Sequence, residues 1–237
     1  MPVTISKKSF YVENLGCAKN QVDAEVMISV LEAAGWTWVT EPAEAGVILV
    51  NTCGFIKPAK EESIKVSLDF LNSASGIPVV MTGCLAQRYA KPMSEEMPDM
   101  AGFFGNRDPR QIVDFLQSRL PAGERVYTPD TPIEPVLEAG PVQAVEDKLP
   151  PFYMPERRRL LTFKGSAYVK VAEGCRNRCT FCAIPLIRGT LRSRTVADVV
   201  AEIKGLHSRG YREFNLIAQD LNAFGRDRGP SEMVALL

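Results

Sequence analysis

An α/β fold with a mostly parallel sheet is what this sequence predicts, on three observations. Short apolar runs alternate with helical stretches through the first 120 residues. The strand-like runs are continuously apolar where they are clearest, as suits strands buried on both faces. The alternation stops in a proline-rich interval and then resumes.

Residues 9–16 read as the first strand. Residues 21–34 read as a helix with Val22, Val26, Val30, Ala33 and Ala34 on one face. The run 47–50 suits a buried parallel strand. Residues 59–74 are helical in spacing, with Ile64, Leu68 and Leu71 in one stripe. Strand 79–82, helix 87–97, a short strand ending at 103–105 and a closing helix at 110–120 complete the first unit. The stretch 121–160 holds eight of the 17 prolines, which excludes a long helix or central strand there. It reads as an extended linker whose end, 160–163, suits an edge strand. A strand at 167–172 follows, then a helix at 196–208 with Val199, Val200, Ile203 and Leu206 inward and Gly210 at its C′ position. A strand at 213–218 and a helix beginning at 231, with Ser231 as its cap, end the series. The expected organisation is an α/β domain at 1–120, a linker at 121–160 and a second βα unit at 161–237. Two strands and a helix and a half cannot cover both faces of a sheet, so the sequence reads as part of a longer protein.

The 237 residues suffice for one large or two ordinary domains. Lys plus Arg equals Asp plus Glu, 28 each, which argues against nucleic-acid binding by bulk charge and leaves a local basic patch open. No apolar run approaches the roughly 20 residues that span a bilayer, and residues 1–10 lack the apolar stretch of a secretory signal. A cytoplasmic protein without disulfides is expected, with its six cysteines serving as metal ligands or buried thiols. The single histidine, His207, leaves a mixed Cys/His zinc site little to work with. It falls late on a helix, where a cation complements the dipole.

Chemistry is concentrated in the cysteines. Cys175, Cys179 and Cys182 follow a strand in Cys-x3-Cys-x2-Cys spacing. Three thiolates in eight residues of loop can wrap three corners of a cubane iron–sulfur cluster and leave the fourth iron open. A structural zinc site needs four ligands, and no fourth Cys or His lies nearby. Cys17, Cys53 and Cys84 each stand at the carboxyl end of a predicted strand beside a glycine. That is where ligands bind in open α/β sheets. One buried cysteine is commonly an apolar core residue; three placed alike on three strands point to a second open triad.

The Cys-x3-Cys-x2-Cys loop with Phe181 before its last cysteine resembles the radical S-adenosylmethionine superfamily. The stretches Leu15-Gly16-Cys17-Ala18-Lys19-Asn20, Asn51-Thr52-Cys53-Gly54-Phe55-Ile56 and Gly83-Cys84-Leu85-Ala86-Gln87 resemble its methylthiotransferase subgroup. Asn-Thr-Cys-Gly-Phe-Ile at the second cysteine resembles the RimO branch rather than the tRNA-modifying MiaB branch. So do Val22-Asp23-Ala24-Glu25, Gly189-Thr190-Leu191-Arg192-Ser193-Arg194 and Ala218-Gln219-Asp220. The resemblance implies an N-terminal α/β domain, the start of a partial TIM-like barrel, and a C-terminal TRAM domain that this sequence lacks. It implies two 4Fe-4S clusters. One, on Cys175, Cys179 and Cys182, binds S-adenosylmethionine and generates a radical; the other, on Cys17, Cys53 and Cys84, carries the inserted sulfur. The implied product is a methylthio group on the β-carbon of an aspartate in small-subunit ribosomal protein twelve. The implied partners are that ribosomal protein or its subunit and an electron donor of the flavodoxin or ferredoxin type. A tRNA adenosine methylthiotransferase and an inactive cluster-binding fragment are the competing readings.

Further candidates have plainer alternatives beside them. Phe181 suits contact with the adenine, or packing of its loop. Gln219 and Asp220 end a barrel strand, where such sites gather, and suit the methionine amino group; Asp220 equally suits a turn or a cap. Arg188, with Arg192 and Arg194, suits carboxylate binding or a solvated basic surface. Arg157, Arg158 and Arg159 read as a solvated linker run. Lys19 and Asn20 suit the start of the first helix, with Asn20 as its cap, and Trp36 and Trp38 a strand edge.

Overall fold

The computed structural model describes residues 3–74, 76–128, 154–177 and 179–237. A six-stranded, all-parallel sheet fills the first unit, in the order β2-β1-β3-β4-β5-β6. Its strands are β1 (Ser9–Asn14), β2 (Thr37–Trp38), β3 (Val47–Thr52), β4 (Val79–Gly83), β5 (Gly102–Phe104) and β6 (Val126–Tyr127). Every residue of β3 and β4 is buried, which explains their apolar starts, Val47–Val50 and Val79–Met81, ahead of the buried Asn51, Thr52 and Thr82. Helices α1 (Ala18–Ala33), α2 (Lys57–Ser73), α3 (Cys84–Glu96) and α4 (Ile112–Asp114) cover the sheet. Phe10, Ile28, Leu49, Phe104 and Phe115 build one apolar layer, and Ile48, Val50, Met81, Leu85 and Phe103 the other.

In the second unit β7 (Ser166–Lys170) pairs in parallel with β10 (Glu213–Ile217), connected by a crossover that contains α6 (Val196–Ser208). An antiparallel ribbon of β8 (Ala172–Glu173) and β9 (Arg192–Ser193) brackets the cysteine loop and α5 (Ile184–Arg188). The short α7 (Met233–Leu236) follows. Ala167, Val169, Val199, Leu206 and Phe224 form the core. Helix α6 has the expected bounds and Gly210 follows its C-cap at φ +98°.

Several expectations change. The helix at 110–120 is irregular, a 3-10 turn leading through α4 into π-type bonding at Phe115–Arg119. Strand β6 lies within the stretch read as linker, pairing on the sheet edge with β5; residues 129–153 of that stretch lie outside the described residues. No strand forms at 160–163. There the Leu161 N–H donates to the Glu25 carboxylate at 2.8 Å instead of to a neighbouring strand. On α2 Ile64 and Leu71 of the expected stripe pack toward the sheet with Val66 and Phe70 and the buried Ser63 and Ser67, while Leu68 is 42% exposed. Both serine hydroxyls donate back to carbonyls one turn earlier, so small, self-satisfied side chains let the helix approach closely.

Helix α1 explains why the chain is one body. Ala24, Met27, Ile28 and Leu31 face the sheet. Of the expected stripe, Val30 and Ala34 pack against that core, while Val22 and Val26 instead meet Met154 and, in the second unit, Tyr168 and Ile217. A helix buried on opposite sides shows no clean amphipathic period. Of the run expected in solvent, Arg157 and Arg159 reach across to α1, while Arg194, for which carboxylate binding and a solvated surface are both expected, is paired within the second unit. Arg157 is buried and bonds Glu25 on α1 and Glu202 on α6. Arg194 is buried against Asp198 and Glu202. Arg159 reaches Glu32 at 2.6 Å and lies over the ring of Trp38, 5.2 Å from its centroid.

Gly83 fixes the end of β4. Its φ is +92°, and a Cβ there would stand 2.5 Å from the Thr52 carbonyl oxygen and 2.6 Å from Asn51 Oδ1. Gly83→Ala therefore combines backbone strain with a backbone clash and is expected to cost about 3 kcal/mol. Gly35→Ala, at φ +81° with open space around it, carries the strain alone and is expected to cost about 1 kcal/mol. Equal shifts of the urea midpoint in the two variants would refute the crowding at Gly83.

Candidate functional site

Strand order reverses between β1 and β3, where the chain moves first to β2 and then to the opposite side. The crevice at such a switch point, beyond the carboxyl ends of the strands, is where open α/β sheets hold ligands. Cys17 caps the N-terminus of α1 just past β1, Cys53 follows β3, and Cys84 opens α3 directly after β4. Their neighbouring glycines set how closely they approach. A Cβ on Gly16 would lie 3.0 Å from the Cys53 Cβ, and one on Gly54 would lie 2.7 Å from the Cys84 carbonyl oxygen. The three cysteines thus share one sheet edge. Cys84 is buried, Cys53 half-buried and Cys17 exposed, so the group opens outward on the Cys17 side.

Asn20 ties this edge together from inside α1 and caps nothing. Its Nδ2 donates to the carbonyls of Thr52 at 2.7 Å and Leu15 at 3.2 Å. Its Oδ1 accepts from the Cys84 thiol at 3.3 Å and from Arg188 at 2.9 Å. The Cys84 sulfur in turn accepts from Asn106 Nδ2 at 3.1 Å and from Arg188 at 3.3 Å. Burial pushes the Cys84 thiol pKa up, and the Arg188 guanidinium pulls against that rise. The Ser63 hydroxyl accepts from the Cys53 N–H at 3.2 Å.

The second triad lies on the loop between β8 and α5. Gly174 opens the loop at φ +75°, with room for no Cβ, which would stand 2.0 Å from the Thr190 carbonyl oxygen. Cys175 is held by its N–H to the Gly189 carbonyl at 3.1 Å, and the Cys182 N–H bonds the Cys179 carbonyl at 3.0 Å. Cys179 is exposed; Cys175 and Cys182 are half-buried. Phe181, at 87% exposed, stands free of the core. Asp220 accepts from the Asn222 N–H at 3.1 Å, the turn role, and from Asn177 Nδ2 at 3.0 Å, which braces the cysteine loop. Gln219 donates to Glu173 at 3.2 Å, while its Oε1 is buried without a hydrogen-bond partner.

Cys84 shares a buried cluster with Ala183 and Ile187, and Ala183 follows Cys182 in sequence. Arg188 is fully buried between the units. It donates to both Glu173 oxygens at 3.1 Å, and to Asp23 at 3.0 Å as well as to Asn20 and the Cys84 sulfur. This differs from the expected placement at the second triad with a carboxylate ligand: its NH1 and NH2 are occupied within the protein, toward the first triad. Lys170 bonds both Asp23 and Glu173. Burial opposes charge on both Arg188 and Glu173, yet the attraction of opposite charges wins. The guanidinium pKa is held well above its usual value by Cys84 first, then by Glu173, Asp23 and Cys17. The Glu173 carboxyl is held well below its own, with Lys170 assisting. Lys19 also crosses the interface, donating to the Ala218 carbonyl at 2.8 Å. Asp23, Lys170 and Glu173 were not singled out individually from sequence. Acids inside an otherwise apolar helix, as in Val22-Asp23-Ala24-Glu25, are the signal that marks buried ion pairs; nothing in the sequence marks Asn106.

Among the described residues no three His, Cys, Asp or Glu side chains are grouped to hold a single metal ion. A single zinc, at about 2.3 Å from each thiolate, demands such convergence; a cubane, whose cysteines each bind a different iron, does not. Among the described residues, no helix is long and apolar enough to cross a membrane.

Residues 9–105 match the family described as Uncharacterized protein family UPF0004. Ribosomal protein uS12 methylthiotransferase RimO of Myxococcus xanthus is 42% identical over 94% of this chain and 44% of its own length. The protein of the same name from Syntrophotalea carbinolica is 40% identical over 95% of this chain and 47% of its own length. The chain thus spans about half the length of the curated relatives it matches. Among solved structures, radical S-adenosylmethionine methyltransferase TsrM from Kitasatospora setae, with tryptophan substrate and aza-SAM bound, superposes with a TM-score of 0.55 at 15% identity. The match covers 90% of this chain and 48% of that one, a likeness of fold.

Proposed function

Because the chain belongs to the radical S-adenosylmethionine methylthiotransferase family, on its RimO branch, we propose that it carries the two cluster sites of an enzyme that methylthiolates an aspartate of ribosomal protein uS12 at its β-carbon. What supports this reading is that Cys84 of the first triad shares a buried apolar cluster with Ala183 and Ile187, which follow the second triad in sequence. Residues 1–120 are read as the domain of the first triad and 161–237 as the opening of a barrel that presents the second.

The residues fit such clusters. Two N–H donors on the Cys84 sulfur suit a thiolate, and three ligands leave one metal position open in each triad. Cys17, Cys53 and Cys84 would hold one 4Fe-4S cluster and Cys175, Cys179 and Cys182 the other. Bound there, the clusters supply one-electron chemistry on S-adenosylmethionine and a place for the transferred sulfur. The protein's part is orientation. The unpartnered Gln219 Oε1 offers an acceptor to the S-adenosylmethionine ammonium. Phe181 offers an aromatic face to the adenine, and Asp220 holds the loop through Asn177. A flavodoxin- or ferredoxin-type donor would deliver electrons.

The test is anaerobic reconstitution with iron and sulfide, then reduction with S-adenosylmethionine and uS12 present, in the chain and in its longest natural form. The expected results are 5′-deoxyadenosine release and a methylthio mass increment on the uS12 aspartate. An increment on tRNA adenosine instead would move the protein to the MiaB branch. Iron binding without either product would leave a cluster-binding fragment.

A further inference from the structure

Arg188 belongs to the second unit by sequence, yet it contributes to the first site. Its NH2 lies 3.3 Å from the Cys84 sulfur, and Asn20, Asp23 and Glu173 hold the guanidinium in place from both units. Of the three cysteines on the β1, β3 and β4 ends, Cys84 is the buried one. At 2% exposure of Arg188 no water comes between the guanidinium and the sulfur; Asp23 and Glu173 neutralise much of its charge, so its effect on the sulfur is chiefly that of the directed NH2 hydrogen bond.

We infer that Arg188 is a positioning residue that completes the Cys17, Cys53 and Cys84 site from across the interface, orienting the Cys84 thiolate and raising the reduction potential of the group bound there. The inference rests on the reading of that triad as a cluster site. Reduction adds negative charge to a cluster and its thiolates. A cation and N–H donor at the ligand sulfur stabilise the reduced form more than the oxidised one, which raises the potential. Asn106 donates to the same sulfur from within the first unit and so supplies a comparison that leaves the interface intact.

The experiment uses the whole chain with Cys175, Cys179 and Cys182 replaced by alanine, so that only the first triad binds iron. Iron content and the midpoint of an EPR-monitored redox titration are measured for Arg188→Met, Arg188→Lys and Asn106→Leu in that background. Arg188→Met is expected to keep its iron and titrate at a lower midpoint, with Asn106→Leu shifted in the same direction. Arg188→Lys keeps the charge but loses the planar fork, and is expected to fall between Met and the parent; it decides the matter should Arg188→Met fail to fold. A midpoint unchanged in the folded Arg188 variants, against a shift in Asn106→Leu, overturns the role of Arg188 and leaves the cluster reading standing. Absence of iron from the parent background overturns the cluster reading and this inference together.

Discussion

Replacing Cys17, Cys53 and Cys84 together with alanine is expected to halve the iron bound after anaerobic reconstitution, and replacing Cys175, Cys179 and Cys182 to remove the other half. The buried apolar cluster that Cys84 shares with Ala183 and Ile187 makes a single iron–sulfur cluster held by both triads the serious alternative. A shared cluster would lose all its iron in either variant, so colorimetric iron counts distinguish the two arrangements directly. The variants are also expected to differ without metal. Cys84 is buried and its sulfur engages Asn20, Asn106 and Arg188. Its loss strands buried polar partners, at about 1–3 kcal/mol. Cys175, Cys179 and Cys182 are exposed or half-buried on a loop held by backbone bonds, and their replacement is expected to change apo stability by no more than about 0.5 kcal/mol. Equal losses of apo stability would contradict the asymmetric burial.

The parts of the fold legible in the sequence are those decided within one element. Strands β3 and β4 begin as continuous apolar runs because both faces are covered, and α6 has a clear apolar side bounded by Thr195 as cap and Gly210 beyond its end. The placement of Cys17, Cys53 and Cys84 at strand ends was legible because strand ends are local. What escaped was decided between units. The stripe of Val22, Val26, Val30 and Ala34 is split: Val30 and Ala34 meet the sheet core, while Val22 and Val26 serve the second unit. Arg157 looks like a solvent charge until its partner Glu25, 132 residues away, is folded against it, and Arg194, readable as either a carboxylate binder or a solvated charge, finds its carboxylate one helical turn along. Asn20 at the start of a helix resembles a cap, yet with Cys17 already in that position it lies one turn inside and serves three chain segments. Sequence periodicity reports that a face is buried, not which neighbour buries it.

Arg157→Met is expected to be among the most damaging single substitutions away from the cysteines. The guanidinium bonds Glu25, reaches Glu202 through Nε at 3.0 Å and NH2 at 2.6 Å, and donates to the Tyr168 carbonyl at 2.7 Å. Its side chain is 1% exposed and that of Glu25 is fully buried. Removing the cation leaves a carboxylate inside the interface with only neutral donors, Gln21 at 3.0 Å and the Leu161 N–H at 2.8 Å. Breaking such a pair from one side costs about 3–5 kcal/mol, or roughly 10 °C of melting temperature for a chain of this size. Glu202 suffers less, because Arg194 still pairs with it. The exposed neighbour calibrates the effect: Arg159→Met removes a pair with Glu32 that is half open to water, and is expected to cost no more than about 1 kcal/mol. Arg157→Met combined with Glu25→Gln removes the stranded charge and is expected to recover part of the loss. Thermal unfolding of the four proteins, parent included, decides the matter. If Arg157→Met and Arg159→Met melted alike, the two units would have to be held by their apolar contacts around Val22, Val26 and Met154 rather than by this buried charge, and the acids of α1 would be passengers in the interface.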